Sequence, residues 1–250
     1  MIDWHSHILP GIDDGAADIE QSLAMASALS VAGFSTVYCT PHLVRGCYEA
    51  GNDAVLAGIA DLQERLNSND IPLTLLPGRE YFLDEYLLDA LQEPLPLGNS
   101  CLILVEIPSN QTADMVRQVL YQVVCSGFTP IIAHPERCQL LEPVVRRTDN
   151  RSIFDTFKSL LTGSRNGRRA IDLSDATGNS LLDYLRDLGC GFQGNLGSFN
   201  GFYGGHVKAV ADTLRSLGIY DRYGSDLHAP KQAGIVLKTA GTHRLLKQSL

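Results

Sequence analysis

Strand-length apolar stretches alternate with helix-period stretches about seven times along this chain, and nearly every strand ends in a side chain able to bind a metal. The repeat opens with Ile2-Asp3-Trp4, read as a short buried strand, followed by His5 and His7. Residues i and i+2 of an extended backbone point to one side, so both imidazoles can reach one ion. Pro10-Gly11 then turns the chain and Asp13-Asp14-Gly15 brings carboxylates back; the spacing alone does not choose between the two aspartates. A helix is predicted over 18–33, capped by Asp18 and stopped by Gly33. A strand over 35–40 leads to Pro41-His42, and a second helix covers 53–67. A strand over 72–77 runs into Gly78-Arg79-Glu80, with a short helix over 84–91. The run CLILV at 101–105 lacks alternation, as a strand covered on both faces should, and ends at Glu106. A helix over 112–126 precedes a strand over 129–133 that ends at His134-Pro135-Glu136-Arg137.

The rhythm breaks at about 140–180, a basic, Gly/Asn-containing stretch read as an insertion with a helix near 153–161 and a strand over 170–173. It resumes with a helix over 180–188, a strand over 190–195, a helix over 207–217 and a strand over 220–224 that leads into Ser225-Asp226-Leu227-His228; one or two further helices complete the tail. The pattern fits a closed parallel barrel occupying 1–250 as one domain. Chemistry in such barrels sits at the C-terminal strand ends. Those ends carry His5/His7, His42, Glu80, Glu106, His134 and Asp226/His228, and closure would bring them onto one rim. Mixed imidazole and carboxylate suit zinc, manganese or iron. His206 and His243 lie in helix-like contexts and read as surface residues.

Other function classes have little support. No GxGxxG or GxxxxGK[ST] follows a strand, which removes dinucleotide and P-loop readings. The net charge of −8 argues against a nucleic-acid groove and an anionic membrane surface. No apolar run approaches the ~18 residues of a membrane-spanning helix, and the start lacks the basic region of a signal peptide. The six cysteines show no CxxC or framework spacing, as expected of free thiols in a reducing cytoplasm. Cys39 and Arg45 do fit the C-x5-R spacing of cysteine-dependent tyrosine phosphatases. That loop holds a proline and no glycine, however, and its cysteine falls within the predicted strand, so a cysteine mechanism ranks low.

HSHILPGIDDG at the start, TPH at 40–42, GRE at 78–80, VE at 105–106, AHPER at 133–137 and SDLH at 225–228 resemble the polymerase and histidinol phosphatase (PHP) superfamily. The likeness is nearest to its bacterial manganese-dependent protein tyrosine phosphatases of capsule and exopolysaccharide synthesis. The resemblance implies an α/β fold, a distorted (β/α)7 TIM-like barrel. It implies two or three divalent metal ions, manganese first with iron or zinc as alternatives. Its ligand positions here are His5, His7, Asp14, His42, Glu80, Glu106, His134, Asp226 and His228, with Asp14 taken because the family's aspartate directly precedes glycine. Arg137 would hold the phosphate, and Asp14 would also take part in catalysis. Asp13, Arg45 and Arg79 are helpers or structural residues. The implied substrate is the phosphotyrosine tail of a bacterial tyrosine kinase, hydrolysed in the cytoplasm by a metal-bridging hydroxide, with no nucleic acid, no membrane insertion and homo-oligomerisation left open. Three features depart from the family: the length of the insertion, the loose match of QGNLGSFNG at 193–201, and a tail without Arg-Pro-Pro and Asn-Pro elements.

The implied set is chemically consistent. Five neutral imidazoles and four carboxylates carry a charge of about −4, which nearly balances two or three divalent ions in a buried site. The planar fork of Arg137 suits two phosphate oxygens. Rival readings are a phosphatase for a small monoester such as histidinol phosphate, an amidohydrolase-like barrel that also opens with His-x-His, and a non-catalytic regulator that binds a kinase tail.

Overall fold

A computed structural model of the chain describes residues 1–144 and 177–238. Nine parallel strands are assigned among them. β1 (Ile2–Ser6), β2 (Thr36–Cys39) and β4 (Thr74–Pro77) form one sheet. β3 (His42–Leu43), β5 (Glu80–Phe82), β6 (Leu102–Glu106), β7 (Thr129–Ala133), β8 (Gly191–Asn195) and β9 (Arg222–Gly224) form the other. The registers reduce nine strands to seven. Cys39 pairs with Pro77 and His42 with Glu80, at the same separation in sequence, so β2–β3 and β4–β5 are two long strands each broken midway. Pro41 offers no N–H to the ladder at the first break. At the second, a Cβ on Gly78 would stand 2.7 Å from Leu97 Cδ2, so a larger residue would have to displace that side chain. Pairing carries across the breaks, because Glu80 N–H donates to Pro41 O at 3.1 Å.

β9 returns to β1 and closes the ring. Asp226 N–H donates to His5 O at 2.7 Å and His7 N–H to Leu227 O at 3.1 Å. Beneath this seam the fully buried Asp3 carboxylate accepts Ser225 N–H at 2.7 Å and Ser225 Oγ–H at 2.6 Å. The product is the distorted (β/α)7 barrel expected from the sequence. Its interior is filled rather than hollow, by Tyr38, Leu97, Leu104, Ile131 and Ala133 with Trp4, Leu76 and Leu102 packed against them. Trp4 stacks on Tyr38 with ring centroids 4.7 Å apart. The ligand-type side chains lie above this plug, on the strand ends.

The helices cover the outside. α1 (Ile19–Val31) begins as expected, with Asp18 Oδ1 accepting Gln21 N–H at 2.9 Å, and ends before Gly33 at φ +93°. α1 and α2 (Asn52–Ser68) bury Met25, Leu29, Leu62 and Leu66 against Val37 and Leu75. α3 (Leu87–Ala90), α4 (Ala113–Cys125) and α5 (Ser180–Asp187) bury a second layer that includes Val116, Leu120 and Leu182. α6 (Leu196–Phe199) follows β8 directly, and α7 (Gly205–Ser216) and α8 (Ala233–Val236) complete the described chain. None of these helices is long and apolar enough to cross a membrane.

The sequence reading missed β3, β5 and α6, each too short to carry a period. The helix near 153–161, the strand over 170–173, His243 and most of the 140–180 insertion lie outside the described residues. On either side of that segment, Val144 N–H donates to Thr177 O at 3.0 Å and Asn179 Nδ2 donates to Leu140 O at 2.8 Å. The chain therefore leaves and returns at one point, and α5 serves as the crossover from β7 to β8.

Candidate metal centre

Two imidazoles set the middle of the site. His5 is the penultimate residue of β1 and His7 follows the strand; both are fully buried, and their Nε2 atoms face each other at 3.0 Å. Glu80, at the start of β5, places Oε2 at 3.1 Å from His5 Nε2 and 3.2 Å from His7 Nε2. Asp226, just past β9, places Oδ1 at 3.3 and 3.4 Å from the same two nitrogens. Around this centre His42 Nδ1 lies 3.2 Å from Glu80 Oε2, and His134 Nε2 lies 3.0 Å from Glu80 Oε1 and 3.9 Å from Glu106 Oε1. On the open side Asp14 Oδ1 stands 3.7 Å from His42 Nε2 and 3.5 Å from His228 Nε2.

Three sets have donor atoms that all lie within 4.8 Å of one another: His5/His7/Glu80/Asp226, His7/Asp14/His42/His228 and His42/Glu80/Glu106. Eight of the nine residues named from the sequence fall in these sets, and the ninth, His134, touches Glu80. The donor chemistry fits divalent ions. The nitrogen of His5 remote from the centre, Nδ1, donates to Gln193 Oε1 at 2.8 Å, and that of His7 donates to Asp13 Oδ2 at 2.7 Å. Placing the ring proton on Nδ1 leaves the Nε2 lone pair aimed at the centre, the arrangement that metal-binding histidines require. His42 Nδ1 is buried and has no hydrogen-bond partner, although Glu80 Oε2 is close, so it is an orphan that a cation would satisfy.

Two backbone distortions aim the ligands. His134 (φ +30°) and Asp226 (φ +51°) adopt left-handed conformations that favour glycine. Each sits at the point where a strand ends and the chain bends inward. His134 is followed by a tight turn (Pro135–Arg137) pinned by the buried Glu136, which accepts Asn195 N–H at 2.9 Å and Tyr220 O–H at 3.0 Å.

Packing carboxylates against imidazoles in a dry pocket separates their protonation. Burial opposes a charge on His5, yet the carboxylates of Glu80 and Asp226 outweigh it and raise His5 to about 9. His7 moves up likewise: burial opposes the charge, and hydrogen bonds to Asp13, Asp226 and Glu80 win. For Asp13, burial favours the neutral acid, but its bond to His7 prevails and lowers it to about 2. Burial lowers His134 to about 4, aided by the positive charge of Arg137. Burial and the nearby Glu80 charge raise Glu106 to about 7.

The remaining sequence candidates divide. Arg137 reaches the site and donates from Nη1 to Asp226 Oδ2 at 2.8 Å, with about a third of its side chain exposed at the mouth. Asp13 holds His7 from behind. Arg79 is buried and donates to Asn52 Oδ1 at 3.2 Å, to His42 O at 3.4 Å and to Ala50 O, so it braces the backbone under His42. Arg45 lies over the Tyr86 ring, 3.9 Å from its centroid, beside a cavity of about 270 Å³ walled by Leu43, Tyr81 and Phe82. Cys39 is fully buried on the helix-facing side of β2, and burial pushes its thiol far up, which removes the C-x5-R reading. His206 is exposed and pairs with Glu142, as a surface residue should.

Sequence reasoning noted the 193–201 stretch, which holds Gln193 and Asn195, only as a loose family match without giving either a role, and it passed over Tyr203. Asn195 Nδ2 donates to Asp226 Oδ2 at 2.6 Å, and Tyr203 O–H donates to the same oxygen at 3.2 Å. Asn195 ends β8 and Gln193 stands two residues before it, on a strand whose end carries neither acid nor imidazole. The strand-end rule would have found Asn195 had it admitted amides.

Comparisons with known proteins give the chain a family. The family model for capsular polysaccharide synthesis, CpsB/CapC, matches residues 1–151. Tyrosine-protein phosphatase YwqE of Bacillus subtilis is 33% identical over 233 residues, covering 92% of this chain and 78% of YwqE. Tyrosine-protein phosphatase CpsB of Streptococcus pneumoniae is 30% identical over 147 residues, covering 57% of this chain and 59% of its own. A crystal structure from work on those two proteins, described as unique metal-dependent tyrosine phosphatases, matches with a TM-score of 0.76 and 29% identity, covering 100% of this chain and 87% of that one. Histidinol phosphate phosphatase of Lactococcus lactis shares the fold, with a TM-score of 0.52 at 13% identity, over 99% of this chain and 93% of its own. With the matched model spanning more than half of the sequence, the chain belongs to the CpsB/CapC family of capsular polysaccharide synthesis proteins.

Proposed function

We propose that this chain is a metal-dependent protein tyrosine phosphatase acting in capsule or exopolysaccharide synthesis. The observation that carries the reading is the convergence of nine imidazole and carboxylate groups from six barrel strands and the loops that follow them beside a partly exposed arginine. His5, His7, Asp14, His42, Glu80, Glu106, His134, Asp226 and His228 would hold two or three divalent ions, manganese first. When bound, the ions supply Lewis acidity toward phosphoryl oxygens and bring the pKa of a coordinated water toward neutrality.

The chain's own groups do the rest. Gln193 and Asp13 fix the His5 and His7 rings so that the lone pairs need no reorganisation. Arg137 directs its free N–H groups at the mouth and binds phosphate oxygens there. The filled barrel below keeps water out of the floor of the site. Tyrosine phenolate, with a pKa near ~10, leaves more easily than an alkoxide, so hydrolysis makes little demand on a general acid. The substrate is the phosphotyrosine tail of a kinase in the cytoplasm.

The test is phosphate release by metal-stripped protein with manganese returned, on a tyrosine-phosphorylated peptide and on histidinol phosphate side by side. Manganese-dependent turnover of the peptide is expected. Turnover of histidinol phosphate alone would move the protein to small-molecule metabolism. No turnover of either with manganese bound would leave a binding module.

A further inference from the structure

We propose that Tyr203 is a positioning residue that fixes the guanidinium plane of Arg137 and the outer oxygen of Asp226 against each other. The proposal rests on the phosphatase reading, in which Arg137 binds phosphate. Asp226 divides its two oxygens. Oδ1 faces the imidazoles of His5, His7 and His228, whereas Oδ2 accepts from Arg137 Nη1 at 2.8 Å, Asn195 Nδ2 at 2.6 Å and Tyr203 O–H at 3.2 Å. Tyr203 is the one residue among these donors that touches both members of the ion pair. Its ring lies beneath the guanidinium, 4.6 Å from centroid to Cζ, while its hydroxyl reaches the carboxylate.

The hydroxyl has one direction available. Asn195 Nδ2 donates to the phenolic oxygen at 3.2 Å, which leaves the O–H hydrogen for Asp226. The ring is held just as firmly. Phe202 meets it edge-on, with centroids 4.9 Å apart and planes at 89°. Gly197 packs so closely that an added Cβ would stand 3.3 Å from Tyr203 Cε2. The turn presenting Tyr203 has left-handed glycines on both sides, Gly201 at φ +79° and Gly204 at φ +92°. An aromatic face under a guanidinium blocks rotation about its long axis, so the remaining N–H groups stay in one plane directed at the mouth. A flexible arginine would have to be ordered by each incoming phosphate; this one is already ordered.

The probe is inorganic phosphate, titrated calorimetrically into manganese-loaded protein, with manganese per chain measured by plasma mass spectrometry. Y203L should bind phosphate about tenfold more weakly, and Y203F, which keeps the ring, within about threefold of the parent. Manganese content should be unchanged in both. In an R137K background, whose ammonium has no plane to hold, Y203L should change phosphate affinity by less than about twofold. If Y203L does not melt cooperatively, Y203M takes its place. Undiminished phosphate binding by the leucine variant, an equal loss in the R137K background, loss of manganese, or no phosphate binding by the parent would each overturn the proposal. Phosphate binding is read without turnover, so a parent that binds phosphate yet spares phosphotyrosine peptides would sink the functional reading and leave the role of Tyr203 standing.

Discussion

Replacing Asp13 with asparagine changes no proposed ligand and tests whether the histidines are held from behind. The Asp13 carboxylate, held at about 2 by its bond to His7, is ionised at any working pH. Its Oδ2 accepts His7 Nδ1–H at 2.7 Å and His42 N–H at 2.9 Å, while Oδ1 accepts Gly15 N–H at 2.9 Å. Asparagine has one acceptor oxygen, which must take the Oδ2 side, where two donors wait. Its NH2 then meets the Gly15 N–H head-on. Gly15 cannot withdraw, because it is packed against His7 so tightly that an added Cβ would fall 2.1 Å from His7 O. One buried donor loses its acceptor, at a cost of about 1–3 kcal/mol. The neutral amide also holds the His7 tautomer less firmly, and losses of this kind weaken metal binding by about 10–100-fold. Two measurements check this: thermal melting of metal-free protein, and manganese affinity by competition with a fluorescent chelator. Asp13→Asn should weaken affinity without changing the number of ions bound, whereas Asp14→Asn should lower the number. Manganese affinity within about threefold of the parent and an unchanged melting temperature would refute the reasoning.

The raised His5 and His7 imply that metal-free protein keeps protons that the unfolded chain releases above its ordinary histidine pKa of 6.5. Their contribution, for His5 at most about 3 kcal/mol, is complete below pH 6.5 and is lost as pH rises toward 9. Chelated protein should therefore melt at lower temperature at pH 9 than at pH 6.5, and manganese-loaded protein should not, since the metal replaces those protons; a chelated sample that gains stability across this window contradicts the assignment. Cys39→Ser should keep phosphatase activity within about threefold, because the thiol is buried in the outer core and does no chemistry; loss of turnover with folding intact would revive a cysteine mechanism. Ser225→Ala removes a donor from the buried Asp3 at the seam that sets Asp226 and should lower stability by about 1–3 kcal/mol, read by urea denaturation, and weaken manganese affinity with it.

Much of this site was legible because barrel closure turns one-dimensional order into proximity. Once the strand–helix repeat is recognised, the residue after each strand belongs to one rim, so His42, Glu80, Glu106 and His134 can be grouped although 92 positions separate the first from the last. The same logic shows why other parts were hidden. Asp13 and Asp14 are identical in type and adjacent, and only the fold separates the buried brace behind His7 from the half-exposed group beside His42 and His228. Strands β3 and β5 exist because the barrel's hydrogen bonding continues past Pro41 and Gly78, a property of neighbouring strands and not of the local residues. Gln193, Asn195 and Tyr203 carry no charge and are no metal-ligand types, so their roles follow from the positions of His5 Nδ1 and Asp226 Oδ2. The latter position depends on a left-handed backbone at Asp226, a conformation uncommon outside glycine although aspartate tolerates it better than most side chains. What imposes it is the seam around it: the Asp226 N–H on His5 O and the Ser225 hydroxyl on Asp3. The contacts that close the barrel thus also aim the ligand, and a substitution at the seam is expected to disturb stability and metal geometry together.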